Sequence, residues 1–322
     1  MSAMKKIELH LHIEGAAPPG FIRALAAEKH LDLGRIFDAQ GNYAYRDFPE
    51  FLRIYEAATS VLTSPQDYAR LLAEVLEQCA SHGAIHVELF VSPEFCGGAD
   101  LFAWRDYLAA MQEVADKAAG QGISSRAILT AIRHFGPERA RKTAICAAET
   151  MGDWVTGLGI GGAEDAGDLA DFAWSFDCAR EAGLGLTAHA GEWRGPDSIR
   201  DALALGVTRI GHGIRAIEDP ALVSELAQRG ITLEVCPGSN VALGVVSGWA
   251  AHPIASLADA GVRVTVSTDD PPFFRTNLSQ EYQMLAETFG WAEAEFRQMN
   301  LWAVDAAFCD ETTKDRLRKE LQ

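Results

Sequence analysis

Short runs of β-branched and aliphatic residues alternate along the chain with longer stretches of helical periodicity. Eight runs read as strands: KIELHLH, AIHVELFV, RAILTAI, VTGLGIG, LGLTAHAG, TRIGHGI, TLEVCP and RVTVSTDD. Helical stretches over Asp168 to Ala182, Pro196 to Leu205, Asp219 to Arg229 and Pro253 to Ala260 separate the later ones. Each closes near a glycine, the residue that most easily takes the left-handed turn at a helix end. Eight β/α units predict an α/β fold, a (β/α)8 TIM barrel, as one domain over residues 1–322. The competing doubly wound sheet lacks its usual mark, a glycine-rich dinucleotide loop after the first strand.

One connection is too long for a simple turn. Residues 18–83 separate the first two strands and contain three expected helices, beginning near Pro19, Pro49 and Pro65. The middle one carries Phe48, Phe51 and Tyr55. An insertion at the C-terminal end of a barrel strand lies over the face where active sites form, which predicts a helical lid or pocket wall. The same aromatic residues would also serve simply to pack the helices together. After the last strand, LSQEYQMLAETFG and AEAEFRQMNLWAVDAAF read as amphipathic helices that close the barrel.

Polar residues interrupt the strand pattern at particular places. In IELHLHIEG, strict alternation puts Ile7, Leu9, Leu11 and Ile13 on one face and Glu8, His10, His12 and Glu14 on the other. Two imidazoles at that spacing can reach one metal ion. In LTAHAGEW, His189 shares a face with Thr187 and Gly191, leaving room around the ring, and Glu192 follows at the strand-to-loop turn. A carboxyl there can approach a metal without ligating it, as a general acid does, or can cap the next helix. His212 stands between two glycines in RIGHGI, and alternation in RVTVSTDD sends Asp269 toward the histidines. His10, His12, His189 and Asp269 together make a three-nitrogen, one-oxygen set suited to one zinc ion.

Composition removes other classes of function. The net charge of −17 has the wrong sign for nucleic acid or an anionic membrane. No apolar signal core follows Lys5 and Lys6, and no apolar run is long enough to span a bilayer, so a cytoplasmic protein is expected. Six scattered cysteines with no C-x-x-C pair argue against a disulfide framework or a thiolate zinc site. VTGLGIGGAEDAG, at the fourth strand, lacks the lysine that a bridged two-metal site of this kind generally needs, which favours one metal.

ELHLHIEG, AHAGE, GHG and STDDP, in this order and spread over nearly the whole chain, resemble the adenosine deaminase family of the amidohydrolase superfamily. The resemblance implies a (β/α)8 zinc-dependent hydrolase converting adenosine and 2'-deoxyadenosine to the 6-oxopurine with release of ammonia. It implies His10, His12, His189 and Asp269 as the ligands of one zinc per chain. Glu192 matches the proton donor to purine N1, His212 the residue that orients the attacking water, and Asp270 the partner of N7. Gly162 matches a glycine whose backbone N–H meets N3, and Glu14 the acid that reaches the sugar of nucleoside substrates. The implied partner is a small purine, with no nucleic-acid polymer and no membrane; the oligomeric state stays open.

Within that resemblance the substrate is less sharply specified. Glycine before His212 and the absence of paired glycines after Asp270 resemble the adenosine branch. Two departures point the other way. Glu14 replaces the usual aspartate, shortening the room for ribose, and Gly159 and Ala163 replace acids common around the fourth-strand glycine. Adenine, an N6-substituted adenine or another modified 6-aminopurine nucleoside is the alternative. AMP is disfavoured for want of a basic phosphate-binding cluster. A pterin or pyrimidine amidohydrolase is the broader runner-up, and a catalytically silent purine-binding barrel would be expected to have lost a ligand or Glu192.

Overall fold

A computed structural model describes residues 4–322; residues 1–3 of the expected single domain lie outside the described residues. Eight parallel strands form one sheet in sequence order: β1 (Lys6–His12), β2 (Ala84–Val91), β3 (Ser124–Ile132), β4 (Val155–Gly161), β5 (Gly185–Ala190), β6 (Arg209–His212), β7 (Thr232–Val235) and β8 (Arg263–Val266). The circle closes beyond the end of β8. Asp269 bridges Leu11, its N–H donating to the His10 carbonyl at 3.1 Å while the His12 N–H donates to the Asp269 carbonyl at 3.0 Å. The fold is the expected (β/α)8 TIM barrel.

The helices are α1 (Pro19–Glu28), α2 (Phe48–Thr59), α3 (Pro65–Ser81), α4 (Leu101–Ala119), α5 (Pro137–Glu149), α6 (Ala173–Glu181), α7 (Pro196–Ala204), α8 (Pro220–Arg229), α9 (Pro237–Ala242), α10 (Ile254–Asp259), α11 (Pro271–Phe274), α12 (Leu278–Phe289), α13 (Glu293–Ala306) and α14 (Glu311–Glu320). Local chemistry explains several starts. Asp47 and Ser64 accept the Glu50 and Asp67 amides, and proline stands in the first turn of α2 and α3, where its missing N–H costs nothing. Among the described residues no helix is long and apolar enough to cross a membrane, and all six cysteines are unpaired.

Two details depart from strict strand alternation. Pairing with β2 shifts between Glu8 and Leu11. Glu8 therefore does not share a face with His10: it lines an outer cavity with Leu11 and with Val75 and Cys79 of α3, and accepts from Thr268 N at 2.9 Å. Similarly, β8 stops at Val266 and Asp269 sits in the left-handed region at φ 66°. Its aim comes from that turn and from the bridge to Leu11, rather than from continuing the strand.

The lower barrel is closed by charge and an aromatic plug. Buried Arg209 pairs with Glu88 and with Glu234, its Nε 2.5 Å from Glu234 Oε1, while the Phe308 ring lies against the guanidinium at 3.8 Å. Glycine at position 157 admits that ring, since a Cβ there would come within 2.9 Å of Phe308.

Candidate metal centre and active site

At the upper end of the barrel, β1, β5 and the turn after β8 bring His10, His12, His189 and Asp269 together, with their ligand atoms all within 4.8 Å of one another. His189 Nε2 lies 3.1 Å from His10 Nε2 and 3.2 Å from His12 Nε2. Asp269 Oδ1 is 3.5 Å from the former ring and 3.3 Å from the latter. Three nitrogens facing one point cannot all be satisfied by protons between them; a shared cation satisfies all three. The donor set of three imidazoles and a carboxylate fits zinc. A Cβ at Gly211 would come within 2.9 Å of His10 Cε1 and one at Gly161 within 3.1 Å of His189 Cε1, so those glycines make room for the rings.

The other atoms of these ligands are mostly taken. Glu234 Oε2 accepts from His10 Nδ1 at 2.7 Å, and Thr187 Oγ1 donates to Glu234 Oε1 at 2.9 Å. Burial alone would raise the Glu234 pKa, but the Arg209 charge together with the hydrogen bonds from His10 and Thr187 overrides it and lowers the carboxyl to about 2. Ser239 Oγ donates to Asp269 Oδ2 at 2.7 Å. A second cluster pairs His212 and Asp269 with Cys236, whose thiol burial pushes far above its usual range. A thiol so held is a poor ligand beside three imidazoles.

Glu192 stands on the loop between β5 and α7. Glu164 fastens that loop, its carboxylate accepting the N–H groups of Gly191, Glu192, Trp193 and Arg194 at 2.6 to 3.2 Å. The acid that takes these amides is thus Glu164, and the Glu192 side chain is left to point inward. Burial, with the charges of Asp269 and Glu164, raises the Glu192 pKa well above the carboxylate range. His212, at φ 59°, places Nδ1 3.7 Å from Glu192 Oε1 and Nε2 3.9 Å from Asp269 Oδ2.

These residues open onto one cavity. His12, His189, Glu192, His212, Asp269 and Asp270 meet Gly161 and Gly162 at its polar end, and Phe48, Phe51, Leu52 and Tyr55 of α2 line it together with Phe95. The insertion therefore supplies a wall as well as packing, because Phe51 also contacts Phe273 and Phe274. Asp270 Oδ1 is buried without a hydrogen-bond partner. Gly162 takes φ 95°, and a Cβ there would stand 2.7 Å from His134 Nδ1, so the close approach requires glycine.

Glu14 is placed differently. It is buried beside the cavity without lining it, and its carboxylate accepts from Tyr55 Oη at 3.3 Å, Tyr68 Oη at 3.1 Å and Ser92 N at 3.2 Å. Glu164, Glu234, Ser239 and Asn240 were missed by the sequence reading. An acid in the middle of the apolar run TLEV was the available signal for Glu234; nothing in EVCPGSN distinguishes Ser239 and Asn240 from ordinary helix-start residues.

The adenosine deaminase family model matches residues 5–322. An adenine deaminase of Agrobacterium fabrum is 46% identical over 322 residues, covering 99% of this chain and 98% of the relative. Among solved structures, the adenine deaminase of Arthrobacter aurescens aligns with a TM-score of 0.90 at 29% identity, covering 99% of this chain and 98% of its own. An amidohydrolase from Burkholderia ambifaria with bound Zn aligns at 0.88 and 28% identity, covering 99% and 90%. Both the alignments and the family match run through every strand that carries a site residue, and on that basis the chain is a hydrolytic deaminase belonging to the adenosine deaminase family.

Proposed function

We propose that the protein deaminates free adenine to the 6-oxopurine, with one zinc ion held by His10, His12, His189 and Asp269. The observation that carries adenine over adenosine is the engagement of Glu14. Its carboxylate meets two tyrosine hydroxyls and a backbone N–H and does not line the cavity, so no free acid is offered to a ribose. This reverses the order suggested by the glycine before His212 and by the residues after Asp270. The physical reason is that one extra methylene lets the Glu14 carboxylate reach Tyr68 and Ser92. The adenine deaminases among the relatives support the same order.

Zinc, when bound, would lower the pKa of a coordinated water toward about 7 and so make it nucleophilic at neutral pH. The protein's own residues do the rest. Glu192, kept protonated by burial, donates to purine N1 as electron density gathers there, an interaction stronger in the transition state than in the ground state. His212 orients the water toward C6 together with Asp269. Asp270 meets N7 through one shared proton, since two bare acceptors would repel. The Gly162 N–H faces N3, and the aromatic side chains of α2 exclude bulk water.

The test is metal analysis of the purified protein followed by ammonia release from adenine, adenosine and 2'-deoxyadenosine and methylamine release from N6-methyladenine. Stoichiometric zinc with fastest release from adenine is expected. Fastest release from either nucleoside would overturn the substrate assignment, and silence on all four would overturn the function.

A further inference from the structure

His212 stands at one end of a row of buried polar side chains. Its Nδ1 stands 3.2 Å from Asn240 Nδ2, and Asn240 Oδ1 stands 3.2 Å from His252 Nε2. At the far end of the row the backbone N–H of Ile254 reaches His252 Nδ1 at 3.1 Å. All three side chains are buried. The intervening Pro253 has no N–H, so the first free amide of that helix is the one aimed at the ring.

Direction follows from which atoms can only donate. A backbone N–H donates, so His252 Nδ1 accepts. Burial keeps this imidazole neutral, its pKa pulled down to about 4, which leaves a single ring proton on Nε2. That N–H needs an acceptor and turns the Asn240 oxygen toward His252, hence the Asn240 amino group toward His212. His212 Nδ1 then accepts as well. Its one proton lies on Nε2, the nitrogen that faces Asp269. The Asn240 amino group also approaches Glu192 Oε1 at 3.5 Å.

We propose that Asn240 and His252 are positioning residues that lock His212 in the Nε2–H tautomer, so that it presents a hydrogen-bond donor to the reacting oxygen. The opposite tautomer would turn a lone pair toward the Asp269 carboxylate and leave the oxygen without that donor. This inference rests on the functional reading above and extends it to residues outside the cavity's catalytic groups.

Nitrogen-15 spectroscopy of the metal-loaded, imidazole-labelled protein reads the tautomer directly, with His212 assigned by comparison with His212→Gln. Nδ1 without a proton and Nε2 with one are expected. Asn240→Asp, equal in shape but without the donor, should move the proton to Nδ1 and lower kcat on adenine by about 10²-fold or more at unchanged metal content. For comparison, an imidazole in the wrong tautomer costs up to about 10⁴-fold in a catalytic triad. His252→Gln retains a donor toward Asn240 and should keep most of the rate, whereas His252→Leu should not.

A proton on Nδ1 of His212 in the unaltered protein overturns the proposal. So does an Asn240→Asp protein that keeps both the Nε2 proton and the rate. If Asn240→Asp does not fold, equal rates in the two His252 variants overturn it instead. Absence of ammonia release by the unaltered protein would defeat the functional reading alone, because the nitrogen shifts still decide the tautomer.

Discussion

Glu234 Oε2 lies 2.7 Å from His10 Nδ1, and neither side chain has any solvent exposure. The carboxylate fixes the His10 proton on Nδ1 and leaves Nε2 free to face the metal position, the arrangement that orients histidine ligands generally. Glu234→Gln is expected to lower metal affinity by about 10- to 100-fold. Competition with a chelator of known strength measures this without reference to turnover. An unchanged affinity would mean that His10 needs no orienting partner.

Glu192 carries the proton in this account and no metal. Glu192→Gln keeps the size of the side chain and removes its acidity, so the variant should bind zinc as the parent does. It should lose about 10²- to 10⁴-fold in kcat, the usual range for a general acid. Metal analysis and steady-state rates on one preparation separate the two effects. Turnover near that of the parent would remove the residue from the mechanism.

The engagement of Glu14 by Tyr55 and Tyr68 predicts where specificity can be changed. Glu14→Asp withdraws the carboxylate from Tyr68 and returns volume beside the cavity. The ratio of kcat/KM for adenosine over adenine should rise in this variant. A ratio that stays the same or falls would separate Glu14 from the exclusion of ribose.

A pH effect on stability should arise at a carboxyl outside the proposed ligand set. Buried Glu281 accepts from Gly238 N at 2.9 Å and from Thr276 Oγ1 at 2.5 Å, yet burial outweighs these bonds and raises its pKa from 4.5 to about 8. The folded protein holds a proton here that the unfolded chain releases at lower pH. The contribution to stability is therefore complete below about pH 4.5 and is lost as pH rises through about 8. In Glu281→Gln the decline over that window should flatten, as read by denaturant unfolding at a series of pH values. An equally steep decline in the variant would assign the effect elsewhere.

The ligand set was legible because a strand reports its side-chain faces. His10, His12 and His189 follow from alternation within β1 and β5, where inward residues recur every second position. Alternation gave the wrong face for Glu8, because the register shift in β1 adds a residue that sequence does not announce. It gave the right neighbourhood for Asp269 through a turn instead of a strand. The three helices of the insertion begin at or next to their prolines, as expected, and Asp47 and Ser64 cap the second and third. Glu164 and Asn240 were not legible. Their roles depend on amides 27 to 30 residues away for the former and on side chains 12, 28 and 48 residues away for the latter, distances over which no local pattern operates. Glu14 shows the same limit in another form: sequence identified the acid, but its partners Tyr55 and Tyr68 lie on separate helices of the insertion.

On the proposed reading this barrel takes the free base in preference to its nucleoside. Equal concentrations of adenine and adenosine, offered together to protein of known zinc content, test it in a single reaction resolved by chromatography. Hypoxanthine should accumulate well ahead of inosine, in proportion to the two values of kcat/KM. Inosine accumulating first would contradict the account.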